Sequence, residues 1–174
     1  MIELILGGAR SGKSLLAEKR ALESALAVTY FATAQAQDNE MAQRIAHHQA
    51  RRPAAWELIE EPLHLAAMLQ ATAVDERCLV VDCLTLWLSN LLFADTDGQL
   101  LAQETAALLD VLPRLPGHVI LVGNEVGLGI IPLGEITRRF VDEAGRLNQR
   151  VAAVAQRVTF VAAGLPLELK TPAA

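Results

Sequence analysis

An α/β fold with a largely parallel sheet is predicted from three features of the sequence. Short apolar runs alternate with longer amphipathic stretches, the pattern of successive β-α units. The 174 residues are 52% hydrophobic but only 4% aromatic, so the core is built from Leu, Val, Ile and Ala, as suits helices packed on a buried sheet. A glycine-rich string, "GGARSGKS", joins the first apolar run to the first amphipathic one. No linker or internal repeat divides residues 1–174, and the length suits one domain.

The elements follow in order. Strands are expected at 2 to 6 ("IELIL") and 27 to 32 ("AVTYFA"), with a short one near 56 to 59. Further strands are expected at 78 to 83 ("CLVVDC"), 118 to 123 ("HVILVG"), 157 to 162 ("RVTFVA") and 165 to 169 ("LPLEL"). Helices are expected near 13 to 25, 38 to 50, 62 to 73, 85 to 93, 100 to 112 and 135 to 156. Pro62 is read as a first helical residue after Glu60 and Glu61. In the last helix Ile136, Phe140, Ala144, Leu147, Val151 and Val154 recur at threes and fours, marking one buried stripe. "ADTDGQ" reads as a surface loop.

Composition narrows the partners. A formal charge of -5 supplies no basic field for a polyanion, so no nucleic acid is expected. No apolar run approaches the roughly 20 residues of a membrane span, and "MIELILGG" lacks the basic start of a signal peptide. Cys78 and Cys83 should point to opposite faces of an extended strand and stay reduced, as in a cytoplasmic protein.

"GGARSGKS" matches G-x-x-x-x-G-K-[ST] from Gly7 to Ser14, between a strand and a helix. In that context Gly7, Gly8 and Gly12 let backbone N–H groups wrap a phosphate, and the helix adds its positive end. Lys13 then reaches the β- and γ-phosphates, Ser14 offers its hydroxyl to Mg²⁺, and Arg10 adds charge. Asp82, closing "LVVD" at the sheet's carboxyl edge, is the second candidate for Mg²⁺; a cap for the helix near Thr85 is the alternative. "NEVGLGIIP" starts at the same edge, where Asn124 and Glu125 face a substrate or simply begin a flexible connection through Gly127 and Gly129. N-K-x-D is missing from this stretch, which argues against a switch GTPase.

"RIAHHQARRP" poses a separate question. On a helix, Met41, Ile45 and His48 share one side, while Glu40, Arg44, His47 and Arg51 share another, so spacing does not choose between the histidines. Either imidazole can act as a nucleophile toward phosphorus at neutral pH, and Arg44, Arg51 and Arg52 suit phosphate oxygens. A plain structural role for both is the alternative.

The chain resembles the bifunctional adenosylcobinamide kinase and adenosylcobinamide-phosphate guanylyltransferase family of cobalamin biosynthesis. The likeness runs through "GGARSGKS", "ATAQ", "DNEMAQRIAHHQARRPAAWELIEEP", "VVDCLTLWLSNLL", "NEVGLGIIP", "DEAGRLNQRVAAVA" and "AGLPLELK". It implies a RecA-like P-loop NTPase fold, a homotrimer, and ATP, GTP and a corrinoid as substrates. It puts the nucleotide loop on Gly7, Gly8, Ala9, Arg10, Ser11, Gly12, Lys13 and Ser14, and a second contact on Ala32, Thr33 and Ala34. It further implies that the guanylylated histidine is His48, in R-I-x-x-H, that Gln49, Ala50, Arg51 and Arg52 follow it at the nucleotide, and that Glu60 and Asp82 are the acidic residues of the site. Two readings compete: a single-activity small-molecule kinase with structural histidines, and a nucleotide-dependent regulatory module.

Overall fold

The computed structural model describes residues 1–35, 53–94 and 98–172. Seven strands form one sheet: β1 (Ile2–Gly7), β2 (Ala27–Ala32), β3 (Glu57–Glu60), β4 (Arg77–Asp82), β5 (His118–Asn124), β6 (Arg157–Ala162) and β7 (Leu165–Lys170). Their order across the sheet is β3-β2-β4-β5-β1-β6-β7. All neighbours are parallel except β6 and β7. The first strand of the chain therefore lies well inside the sheet, and all six of its residues are buried. A strand covered on both faces needs no polar alternation, and "IELILG" has almost none.

Helices α1 (Lys13–Glu23), α2 (Leu65–Thr72), α3 (Leu84–Ala94), α4 (Gln99–Val111) and α5 (Glu135–Val154) cover the sheet. On one face, α2 to α5 bury Leu69, Trp87, Leu88, Leu108, Leu147 and Val151 against Leu4, Leu79, Val81, Val119 and Leu121. The other face takes α1, whose Ala17 and Ala21 meet Ile5, Tyr30, Val80, Ile120 and Val122. Small residues four apart make one stripe and let α1 lie close to the strands, which brings its first turn over the sheet edge.

Three expectations need correction. Pro62 does not start a helix: α2 begins at Leu65, and the Glu61 carboxylate accepts from the N–H groups of Leu63 (2.8 Å) and His64 (2.7 Å) just before it. An acidic side chain organises the turn ahead of the helix, which itself has no side-chain cap. Of the stripe on α5 only Ala144, Leu147 and Val151 are buried; Phe140 and Val154 are partly buried against the core, and Ile136 is half exposed. Cys78 and Cys83 are both free and buried, yet they share the α1 face. The strand ends at Asp82, so its alternation does not extend to Cys83. The helix expected at 38 to 50 lies outside the described residues. Among the described residues no helix is long and apolar enough to cross a membrane.

A candidate phosphate site at the carboxyl edge of the sheet

The loop after β1 is held from three sides. Ser11 N–H donates to the Gly8 carbonyl at 3.3 Å, Glu125 N–H to Gly7 at 3.0 Å, and Gly164 N–H to Ser11 at 2.8 Å. Gly12 has φ +100°, and Gly7 has no room for a side chain: a Cβ there would lie 2.4 Å from the Val161 carbonyl oxygen and 2.6 Å from Ser11 Oγ. These two glycines are demanded by geometry. Gly12 also caps α1 without a side-chain hydrogen bond, so the first N–H groups of the helix face outward with its positive end.

Lys13 is buried, and its Nζ donates to the Gly8 carbonyl at 2.9 Å, folding back across the loop. Burial pushes its ammonium below the ordinary value, with Cys83 and Asp82 opposing. Burial also raises the Cys83 thiol to about 12, so it is neutral at physiological pH. Ser11 Oγ is buried without a hydrogen-bond partner among the described residues. An orphan hydroxyl inside a ring of backbone donors fits a phosphate oxygen. Ser14 is half-buried on the first turn of α1, while Ala9 and Arg10 are exposed.

The register places Ala32 between Glu60 on β3 and Asp82 on β4, forming a row along the carboxyl edge. Asp82 is not a helix cap. Cys83 holds that place, with its carbonyl accepting from Trp87 N–H at 3.1 Å and its sulfur from Leu86 N–H at 3.4 Å. Instead Asp82 Oδ2 accepts from the Tyr30 hydroxyl at 2.7 Å. Oxygen donors from Ser14 and Asp82 suit Mg²⁺, which takes one or two protein ligands and completes its shell with phosphate and water. Among the described residues no group of three or more His, Cys, Asp or Glu forms a self-sufficient metal cage.

Thr33 is fully buried, and its polar groups are committed. Its hydroxyl donates to the Cys83 carbonyl at 2.8 Å and accepts from Cys83 N–H at 2.9 Å. Its N–H donates to Asp82 O at 3.2 Å, and its carbonyl accepts from Asn90 Nδ2 at 2.7 Å. Thr33 thus fixes the peptide that carries Asp82, and Asn90 fixes Thr33. Asn124 N–H donates to Thr85 Oγ1 at 2.6 Å, and Glu125 Oε1 accepts from Gly127 N–H at 2.6 Å, so both sit beside Gly7. Glu60 is exposed at the end of its strand. His47, His48, Gln49, Ala50, Arg51 and Arg52 lie outside the described residues.

Tyr30, Asn90 and Thr85 were not singled out in the sequence, since their contacts depend on pairings between distant strands. Only Tyr30 left a trace there: a phenol in an otherwise apolar strand needs a partner for its hydroxyl.

The model of the cobinamide kinase / cobinamide phosphate guanyltransferase family matches residues 3–169. The bifunctional adenosylcobalamin biosynthesis protein CobP of Pseudomonas aeruginosa is 63% identical over 170 residues, 98% of this chain and 98% of that protein. CobU of Salmonella typhimurium, also described as a bifunctional adenosylcobalamin biosynthesis protein, is 40% identical over 182 residues, covering 98% of this chain and all of that one. Among solved structures, the RadB recombinase superposes with a TM-score of 0.53 at 18% identity, over 91% of this chain and 73% of that one. That likeness shows a RecA-like fold.

Proposed function

Because the chain belongs to the cobinamide kinase / cobinamide phosphate guanyltransferase family, we propose that it carries out both reactions of that family within one domain. The observation that carries this reading is the match of nearly the whole chain to the family, with an intact phosphate loop at the matched residues. In the kinase step, a hydroxyl oxygen of adenosylcobinamide attacks the γ-phosphorus of ATP or GTP. The bond to the β–γ bridging oxygen breaks, and the hydroxyl proton is released. The loop N–H groups and Ser11 hold the phosphates in line, while Lys13 swings from Gly8 to the charge that develops on the transferring group. Mg²⁺, held by Ser14 and Asp82, neutralises phosphate charge when bound.

In the second step His48 attacks the α-phosphorus of GTP, and pyrophosphate leaves with the bonding electron pair. A phosphate oxygen of adenosylcobinamide phosphate then attacks the same phosphorus, the P–N bond breaks, and adenosylcobinamide-GDP is released. Arg51 and Arg52 supply positive charge to the phosphates. Ala32 to Ala34, Gln49, Ala50 and Glu60 complete the nucleotide contacts in this reading, which assigns the chain to a cytoplasmic homotrimer.

Intact-protein mass spectrometry after incubation with GTP and Mg²⁺ tests the proposal. Wild type and His47→Ala should gain one GMP, in a bond labile to acid and stable to base. His48→Ala should gain none while still phosphorylating adenosylcobinamide. No adduct on wild type would leave a single-activity kinase, and an adduct lost only in His47→Ala would move the assignment to the other imidazole.

A further inference from the structure

Tyr30 and Asp82 stand on neighbouring parallel strands, and the register pairs Ala32 with Asp82 and Tyr30 with Val80. Tyr30 is thus two residues deeper in the sheet than the carboxylate, about 6.6 Å along the strand. That is the reach of a phenol, and the hydroxyl meets Oδ2 at 2.7 Å. Both side chains lie on the α1 face, the face onto which the phosphate loop delivers Lys13. The ring is held in turn: Tyr30 is 7% exposed and stacks on Trp56, with centroids 6.3 Å apart and planes inclined by 28°. The terminal torsion of an aspartate is soft, so a carboxylate at a strand end turns unless something grips one oxygen. With Oδ2 engaged, the direction of Oδ1 is fixed by the same bond.

We infer that Tyr30 is a positioning residue for the kinase reaction, setting the orientation in which Asp82 meets the hydrated Mg²⁺ of the bound nucleotide, with Trp56 holding the phenol in place. The inference rests on the proposed role of Asp82. A ligand that accepts a hydrogen bond on its outer oxygen offers the metal side a single geometry, which matters most for an ion with strict octahedral demands. Phe at position 30 would fill the same volume and leave the carboxylate free to rotate.

The test is calorimetric binding of a non-hydrolysable ATP analogue, with Mg²⁺ and again with EDTA, to wild type, Tyr30→Phe, Trp56→Ala and Asp82→Asn. Tyr30→Phe should bind the metal-free analogue as wild type does and lose on the order of 10-fold in the affinity that Mg²⁺ adds. In turnover, its half-saturating Mg²⁺ concentration should rise while its KM for adenosylcobinamide stays put. Trp56→Ala should shift the same quantities by less. If Asp82→Asn loses the Mg²⁺ gain and neither Tyr30→Phe nor Trp56→Ala does, the inference is wrong and the role of Asp82 stands. If Asp82→Asn keeps the gain, the metal role of Asp82 falls and the inference with it. Equal weakening of metal-free and metal-bound binding in Tyr30→Phe makes Tyr30 a packing residue and also overturns it.

Discussion

The two ends of the sheet bury charge to opposite purposes. At the carboxyl edge Lys13 folds onto a backbone carbonyl, Ser11 Oγ is unpaired among the described residues, and α1 has an uncapped N-terminus. At the amino edge the charges face one another, although Glu3 Oε2, His118 Nε2 and Arg157 Nε make no hydrogen bond among the described residues. Glu3, fully buried on β1, pairs with Arg20 of α1, lies 3.7 Å from Arg157 of β6, and places Oε2 3.3 Å from His118 Nε2 on β5. Arg20 continues to Glu168 on β7 at 2.6 Å and to Thr159 at 2.8 Å. A set of opposite charges facing one another ties α1 and four strands together; at the other end the donors converge with no carboxylate bonded to them. The lesson is that burial of a charge alone does not mark a site, and that the direction of its partners does.

The largest test of this contrast is Lys13→Ala. Kinase turnover should fall by at least about 100-fold, because a charge aimed at the transferring phosphoryl group is lost. The circular dichroism spectrum and melting transition should remain those of wild type. A variant with near-normal turnover would remove Lys13 from the reaction. At the other end, Glu3→Gln removes the buried one of the two carboxylates that Arg20 and Arg157 share, leaving them Glu168. Urea denaturation should report a loss of about 3 kcal/mol, with kcat for phosphorylation unchanged in the folded fraction. Lost activity at undiminished stability would contradict the division between the two ends.

A surface pair sets the lower limit of the scale. His64 Nδ1 lies 2.8 Å from Glu104 Oε1, and the hydrogen bond and charge of that carboxylate raise the imidazole above its ordinary value. A raised folded value means that the pair's contribution is complete below the ordinary 6.5 and is lost as pH rises through the raised value. Because the imidazole is mostly exposed, solvent screens the pair and the effect is small. Denaturation midpoints across that window should fall slightly more for wild type than for Glu104→Gln; parallel curves would show that the pair contributes nothing.

The carboxyl edge was the more legible end in sequence. "GGARSGKS" has meaning at fixed local spacing, so Gly7, Gly12 and Lys13 were assigned without any knowledge of their neighbours. The six longer strands were also legible, since each is a compact apolar run. Even "LPLEL" reads correctly, although every residue of β7 is exposed at the sheet's edge. The amino edge was illegible because its logic is non-local: Glu3 pairs with positions 20, 118 and 157, and only strand order brings them together. Glu3 in the middle of "IELIL" was the available signal, a carboxylate where an apolar residue belongs. The start of α2 was misread for a local reason. Glu61 competes with Pro62 to organise the same turn, and its carboxylate holds the Leu63 and His64 N–H groups ahead of a helix that starts at Leu65.

The position of β1 has a consequence for synthesis of the protein. The phosphate loop is synthesised well before the segments that wall it: β1 pairs with β5 and β6, and the loop is held by Glu125 and Gly164. Translation from Gly7 to Gly164 takes roughly 10 to 30 s at ordinary elongation rates. Until that interval ends the loop lacks its hydrogen bond from Gly164, so the complete cradle forms only late in synthesis. Nucleotide held in the complete cradle would therefore report that the β6–β7 hairpin has closed.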